Sequence, residues 1–375
     1  MSSGNPLEMC IKLMWHTLPW KAARALVHAG TMNAWIPVAA AVAVGLPSWW
    51  ASRRIWRRPP PLTEAELAQR TAPGARSAGA RIVRLQDGSL LTYWEFGDPD
   101  GVPLIALHGM GASGLLFSAQ DAFFRARGVR CIAPNLVGGL ADPPPASRLA
   151  DLAATVVRLA DHLRIEKFRL IATSYGTLMA LGVAALAPHR VERAGLFGPM
   201  LPGSWLAEHP ELTKGARPND AALWSTARRA PALLYPMTAL FGLSPTAAKI
   251  HSFVDARLPE AERAMLQPGQ PFHAHFATLL EECGQRGYWY MALGAEIGWG
   301  REPGFTLEQV EAGGVPLFLE TGAEDNVHLP AMAEYLHRRV RNSSLNLVAG
   351  QGRFGGMGSL LEAGLARFLA ERQPR

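Results

Sequence analysis

The sequence predicts an α/β fold in which a mostly parallel sheet is flanked by helices and interrupted by a helical lid. Three observations carry this reading. Short apolar runs alternate with amphipathic stretches from about residue 81 onward, the pattern of strands joined by crossover helices. Two of the runs, VPLIAL at 102–107 and VPLFLE at 315–320, are apolar without alternation, as strands covered on both faces are. Between the two halves of the pattern, residues 201–309 are rich in proline and large apolar side chains.

At 375 residues, 49% of them hydrophobic and 18% charged, the chain is long enough for one large domain with its own core and appendages. Much of its net charge of +6 lies near the N-terminus, in Lys12, Lys21, Arg24, Arg53, Arg54, Arg57 and Arg58. That placement argues against a nucleic-acid-binding face and for a membrane flank. Residues 34–51, AWIPVAAAVAVGLPSWWA, are almost wholly apolar; as a helix they would reach roughly 27 Å, close to a bilayer core. Trp35, Trp49 and Trp50 sit at the two ends and SRRIWRR follows, as at a membrane interface. Pro37 and Pro47 oppose a regular helix, although membrane helices tolerate them. Residues 1–58 are therefore expected to hold a transmembrane anchor, with the globular domain on the cytoplasmic side; a targeting segment or an interfacial helix on the globular domain is the alternative. Residues 59–80, rich in Pro, Ala and polar side chains, are expected as a linker, with Thr63 capping a short helix.

The core then unfolds strand by strand. Residues 81–85 and 90–96 form a hairpin around Gln86-Asp87-Gly88. Strand 102–107 runs into the Gly-rich loop HGMGAS, which opens a helix near 115–127. Strand 129–133 is followed by APNLVGG, and 149–163 is amphipathic, with Leu149, Leu152, Val156, Leu159 and Leu163 on one face. Phe168, Leu170 and Ile171 make the next strand, and 193–197 another, completing a first core part at 81–200. After the lid, the second core part at 310–375 supplies strand 315–320, helix 330–340, strand 345–348 and a helix at 360–371.

The corner between residues 168 and 180, FRLIATSYGTLMA, turns from strand to helix through Ser174. Such a turn exposes the serine hydroxyl at a strained tip and needs small residues two positions to either side. Gly176 meets that need; Ala172 stands where the G-x-S-x-G pattern has glycine.

Taken in order, HGMGAS, ATSYG, GAEDNVHLP and GQGRF resemble the loops of the α/β-hydrolases, and APNLVGG is similar to their A-P-D-x-x-G loop with Asn135 for Asp. The resemblance covers roughly three-quarters of the chain, from about Ile82 to the C-terminus. It implies Ser174 as nucleophile, with the backbone N–H groups of Met110 and Tyr175 as an oxyanion hole. It implies Asp325 as the acid that orients an imidazole, a helix-capping role being the alternative. Serine at the elbow argues against the dehalogenase and epoxide-hydrolase branches, which use a carboxylate. His108 is expected as a hydrogen-bonded residue of its loop.

Where the family places its histidine, this chain has Arg353. A guanidinium stays charged and cannot deprotonate a serine; beside Asp325 it is expected to form a bidentate ion pair in the imidazole's place. On that alignment, Arg353→His is expected to raise esterase turnover at least about tenfold. His328, three residues past Asp325, is the candidate substitute base; His337 is expected on the surface, Glu324 in solvent, and His251, His273 and His275 are weaker candidates. Two functions stay open: a serine hydrolase of carboxylic esters or thioesters with an apolar part, or an inactive fold kept for ligand binding or scaffolding. The lid aromatics, Trp205, Trp224 and Trp299 among them, imply an apolar pocket above the sheet. Cys10, Cys131 and Cys283 are too few and too scattered for a disulfide framework or a metal site, with Cys131 expected in the core. No cofactor is expected, and the sequence does not address oligomeric state or natural substrate.

Overall fold

Residues 58–240, 250, 254 and 257–370 are described by a computed structural model of the chain. The expected membrane span at 34–51 lies outside them. Among the described residues no helix is long and apolar enough to cross a membrane.

Eight strands form a single sheet in the order β1-β2-β4-β3-β5-β6-β7-β8. They are β1 (Arg81–Arg84), β2 (Leu90–Gly97), β3 (Val102–Leu107), β4 (Val129–Pro134), β5 (Phe168–Thr173), β6 (Val191–Phe197), β7 (Leu317–Gly322) and β8 (Ser343–Val348). The opening hairpin is antiparallel, β2 pairs antiparallel with β4, and every later pairing is parallel. Gly88 adopts φ +81° in the hairpin turn, a conformation glycine reaches without penalty.

Successive strand residues point to opposite faces, and the core divides accordingly. Leu104, Ala106, Cys131, Ala133 and Ile171 pack with Phe124, Leu361, Leu365 and Phe368 on one face. Ile105, Leu107, Ile132, Leu170 and Ala172 pack with Leu152, Val156, Leu178 and Leu336 on the other. The first group meets helices α2 (Asp121–Arg125) and α13 (Gly358–Ala370); the second meets α3 (Leu149–His162), α4 (Gly176–Leu186) and α12 (Pro330–Arg339). A sheet so covered has no face left for water, which is why its central strands read as unbroken apolar runs.

Residues 59–80 hold the short helix expected behind Thr63. Helix α1 (Glu64–Thr71) starts at a reciprocal cap, Glu66 N–H to Thr63 Oγ1 at 3.2 Å and Thr63 N–H to Glu66 Oε2 at 2.8 Å. Beyond it the buried Ser77 hydroxyl donates to Glu282 Oε1 at 2.7 Å, and Arg286 Nη2 donates to the Pro60 carbonyl at 2.7 Å. The composition of the segment conceals this, because the two bonds reach partners 205 and 226 positions away. The insertion between β6 and β7 returns to the core earlier than residue 309. Its helices are α5 (Gly203–Glu208), α6 (Pro218–Arg229), α7 (Leu234–Leu240), α8 (Glu260–Met265), α9 (Pro271–Cys283) and α10 (Tyr288–Ala295). One wider π-helical turn, Glu296–Gly300, follows. Helix α11 (Leu307–Gly313) already packs on α4, with Gly313 so close that a Cβ there would sit 2.6 Å from the Ala184 carbonyl.

Candidate active site

The strand β5 ends in Ser174, which holds φ +52°. For a residue with a Cβ this left-handed conformation costs about 1–2 kcal/mol, and the surroundings over-determine it. The Ser174 N–H donates to the Phe197 carbonyl at 2.9 Å. Its own carbonyl accepts from the Thr177 hydroxyl at 2.5 Å and the Thr177 N–H at 2.9 Å. Helix α4 must pass close to β3 here: a Cβ on Gly176 would lie 2.4 Å from the Leu107 carbonyl oxygen. Ala172, by contrast, has room for its methyl, pairing in register with Leu107 and Leu196 in the sheet.

The loop after β3 comes up beside the serine. A Cβ on Gly109 would stand 3.0 Å from that of Ser174. Among the described residues, neither the Met110 nor the Tyr175 N–H is taken by a protein acceptor. The Tyr175 hydroxyl donates to the Gly294 carbonyl at 2.8 Å and its ring meets Trp299 edge-on at 5.6 Å, so the insertion is bolted to the residue after the serine. His108 is buried, with Nδ1 at 2.9 Å from the Gly109 carbonyl. Burial, only partly opposed by that bond, pushes its pKa down to about 4, so the ring is neutral and serves the loop. Asn135 replaces the family's Asp to effect: its Oδ1 accepts from the Gly114 N–H and its Nδ2 donates to Thr92 Oγ1, both at 2.9 Å. A carboxylate there would lack the donor.

The loop after β7 supplies the remaining groups. Asp325 Oδ1 accepts the N–H groups of Val327 and His328, each at 2.8 Å. This tight turn folds the chain back, so that His328 Nδ1 meets Asp325 Oδ2 at 2.7 Å. The other ring nitrogen, Nε2, lies 2.7 Å from Ser174 Oγ. Gly198, at φ +62°, leaves the space for the ring: a Cβ there would come within 2.8 Å of His328 Cγ.

Arg353, expected in the imidazole's position, does not occupy it. His328 fills it, and the expected Arg353–Asp325 ion pair gives way to the His328–Asp325 contact. Arg353 Nη1 instead donates to Asn326 Oδ1 at 3.2 Å. Its loop is held by Glu262 of α8, which accepts the Gly352 N–H at 2.7 Å and the Phe354 N–H at 3.2 Å. Here the imidazole comes from the loop after β7 and not from that after β8. Alignment by position looks only at the second.

The other histidines lie elsewhere. His337 is exposed against Ser343, His275 meets the Leu116 carbonyl at 3.2 Å, and His251 is outside the described residues. Exposed Glu324 accepts the Gly350 N–H at 3.1 Å.

Charge follows geometry. Burial works against ionising Asp325, yet the His328 charge, its hydrogen bond and the two backbone N–H groups bring the carboxyl below its ordinary range. Burial likewise opposes imidazolium at His328, and Asp325, then Asp220 and Glu262, outweigh it and raise the pKa. Asp220, Glu262 and Gly198 carry no motif in the sequence; only the Gly198-Pro199 pair marks a turn. Met200, with Sδ 3.8 Å from Ser174 Oγ, was equally unmarked. Among the described residues no cluster of His, Cys, Asp and Glu is arranged to hold a metal ion.

Gly198→Ala tests the fit of the ring. The added methyl is expected to displace His328 and lower turnover by about 10²-fold, while Tm falls by only about 2–4 °C. Matched kinetics and thermal melts check it.

Comparison with known proteins agrees with this architecture. The acetyltransferase component of an acetoin-cleaving system from Pseudomonas putida is 35% identical over 136 residues, covering 35% of this chain and 34% of that protein. A haloalkane dehalogenase from Mycolicibacterium paratuberculosis is 32% identical over 116 residues, covering 29% and 38% respectively. The chain thus spans little more than a third of the length of these relatives. Among solved structures, an esterase from a Rhodococcus species superposes with a TM-score of 0.55 at 18% identity, over 78% of this chain and 99% of that one. The alpha/beta hydrolase fold profile matches residues 102–357, and this chain belongs to the alpha/beta hydrolase fold family.

Proposed function

We propose that the chain is a serine hydrolase of carboxylic esters or thioesters, with Ser174 as nucleophile, His328 as general base and Asp325 as the acid that orients it. One observation carries this reading: a continuous run of contacts from Ser174 Oγ through both nitrogens of His328 to Asp325. The Asp325 carboxylate accepts the Nδ1 proton, which leaves Nε2 as the lone-pair nitrogen facing the serine. As Ser174 Oγ bonds to the acyl carbon, Nε2 takes its proton and the carbonyl electron pair moves onto oxygen. In this reading the Met110 and Tyr175 N–H groups receive that oxyanion. Collapse expels the alcohol or thiol, which leaves with the proton from Nε2. Water then repeats the sequence and frees the acid.

Serine also decides between the relatives. Displacing a halide with a serine oxygen would leave an alkyl ether, which water cannot release by adding to a carbonyl. An acyl-serine has that carbonyl. The acyl transfer named for the Pseudomonas putida protein is chemistry of the same class. Thioether side chains favour an apolar acyl or alcohol part: Met200 touches Ser174 Oγ, and over the loop after β3 Met291 Cε lies 3.8 Å from where Gly111 would carry a Cβ.

The test offers the full chain nitrophenyl esters from acetate to decanoate, an acyl thioester and a 1-haloalkane. Acid is expected from the first two classes, and no halide from the third. Halide release without ester hydrolysis would overturn the assignment; silence on every acyl substrate would favour a binding or scaffolding role.

A further inference from the structure

The insertion brings charge to the imidazole as well as cover. Helix α6 begins over the loop that carries Asp325 and His328: the Arg217 N–H donates to the Asn326 carbonyl at 3.0 Å. One turn on, Asp220 lies 3.7 Å from Arg217 Nη1. Its Oδ2 is wholly covered yet has no hydrogen-bond partner among the described residues. Glu262, the other acid of the insertion near this point, is occupied by the Gly352 and Phe354 N–H groups. Asp220 spends no backbone N–H, so its charge acts through space.

We propose that Asp220 is a second carboxylate for His328, delivered by the insertion, which stabilises the imidazolium formed when Ser174 loses its proton. The proposal rests on the reading of His328 as the base. Asp325 from its own loop, Asp220 from α6 and Glu262 from α8 act on the ring, and Ser174 of the elbow touches it; Arg217, which caps α6, and Arg353, from the loop before α13, act on Asp220. Asp220 acts on the imidazole with the same sign as Asp325. Burial, with the Asp325 charge added to it, raises the Asp220 pKa, and Arg217, His328 and Arg353 offset part of that rise. A seated insertion therefore presents the ring with two carboxylates, and a displaced one leaves it with Asp325 and a weaker hold on the proton. Asp220 is in this sense a positioning residue for charge, acting through His328.

The experiment follows the His328 ring by ¹³C-histidine NMR across pH in the full chain, its resonance assigned by loss in His328→Gln. Parallel profiles of kcat/KM use a short ester. Asp220→Asn and Asp220→Ser are both expected to lower the titration midpoint by about half a unit or more, and Asp220→Glu to restore it. The acid limb of kcat/KM should move with it, to lower pH. A midpoint unchanged in both neutral variants, or restored by neither charge nor shape, overturns the proposal. The ring titrates whether or not the protein turns over: a midpoint that moves in a protein inert to esters keeps this inference and removes the function.

Discussion

Ser174→Ala and His328→Gln are each expected to lower kcat on a short nitrophenyl ester by about 10⁴- to 10⁶-fold, with the double variant no worse than either alone. The reason is that the two side chains perform one event. Without Nε2 at 2.7 Å, the hydroxyl keeps its proton and remains a poor nucleophile; without the hydroxyl, the imidazole has nothing to deprotonate. What survives is the contribution of the oxyanion donors and substrate binding. The alternative alignment, with the base belonging at residue 353, makes the opposite forecast. It has Arg353→His gaining at least about tenfold. With the imidazole slot filled by His328, Arg353→His is expected to bring no gain. Steady-state kinetics on the four variants separate the two.

Asp325→Asn is expected to cost about 10⁴ in kcat near neutral pH. The amide oxygen can still accept the Val327 and His328 N–H groups now bound by Oδ1 at 2.8 Å, so the turn keeps its shape. The NH₂ then occupies the place of Oδ2, facing Nδ1 as a donor. Nδ1 must become the acceptor, the ring proton moves to Nε2, and the nitrogen facing Ser174 has no lone pair to offer. A large fall in kcat with a nearly unchanged Tm is the expected signature. Equal losses of stability and activity would show that Asp325 serves the turn alone.

The fold was legible because its signals are local and redundant. Apolar runs at 102–107 and 315–320, the amphipathic 149–163 and the corner at Ser174 each report one element, and their order restricts the topology. Site residues were legible where their chemistry depends on the local chain. The left-handed Ser174 needs Gly176, and both can be read in ATSYG. The base was not legible in the same way. Its placement depends on an Asp–His turn of three residues and on the missing Cβ of Gly198, a residue 130 positions away in a different loop. The contact of Ser77 with Glu282 likewise has no local signature. Asp220 and Glu262 carry no motif, and their effect on the base depends on how the insertion folds.

The rate of covalent capture at residue 174 by a fluorophosphonate, followed by intact-protein mass, tests the arrangement most directly because it needs no knowledge of the natural substrate. The wild-type chain and Arg353→His should gain a single adduct at similar rates, while His328→Gln should react at least about 10²-fold more slowly. Capture of His328→Gln at the wild-type rate would contradict the assignment of the base.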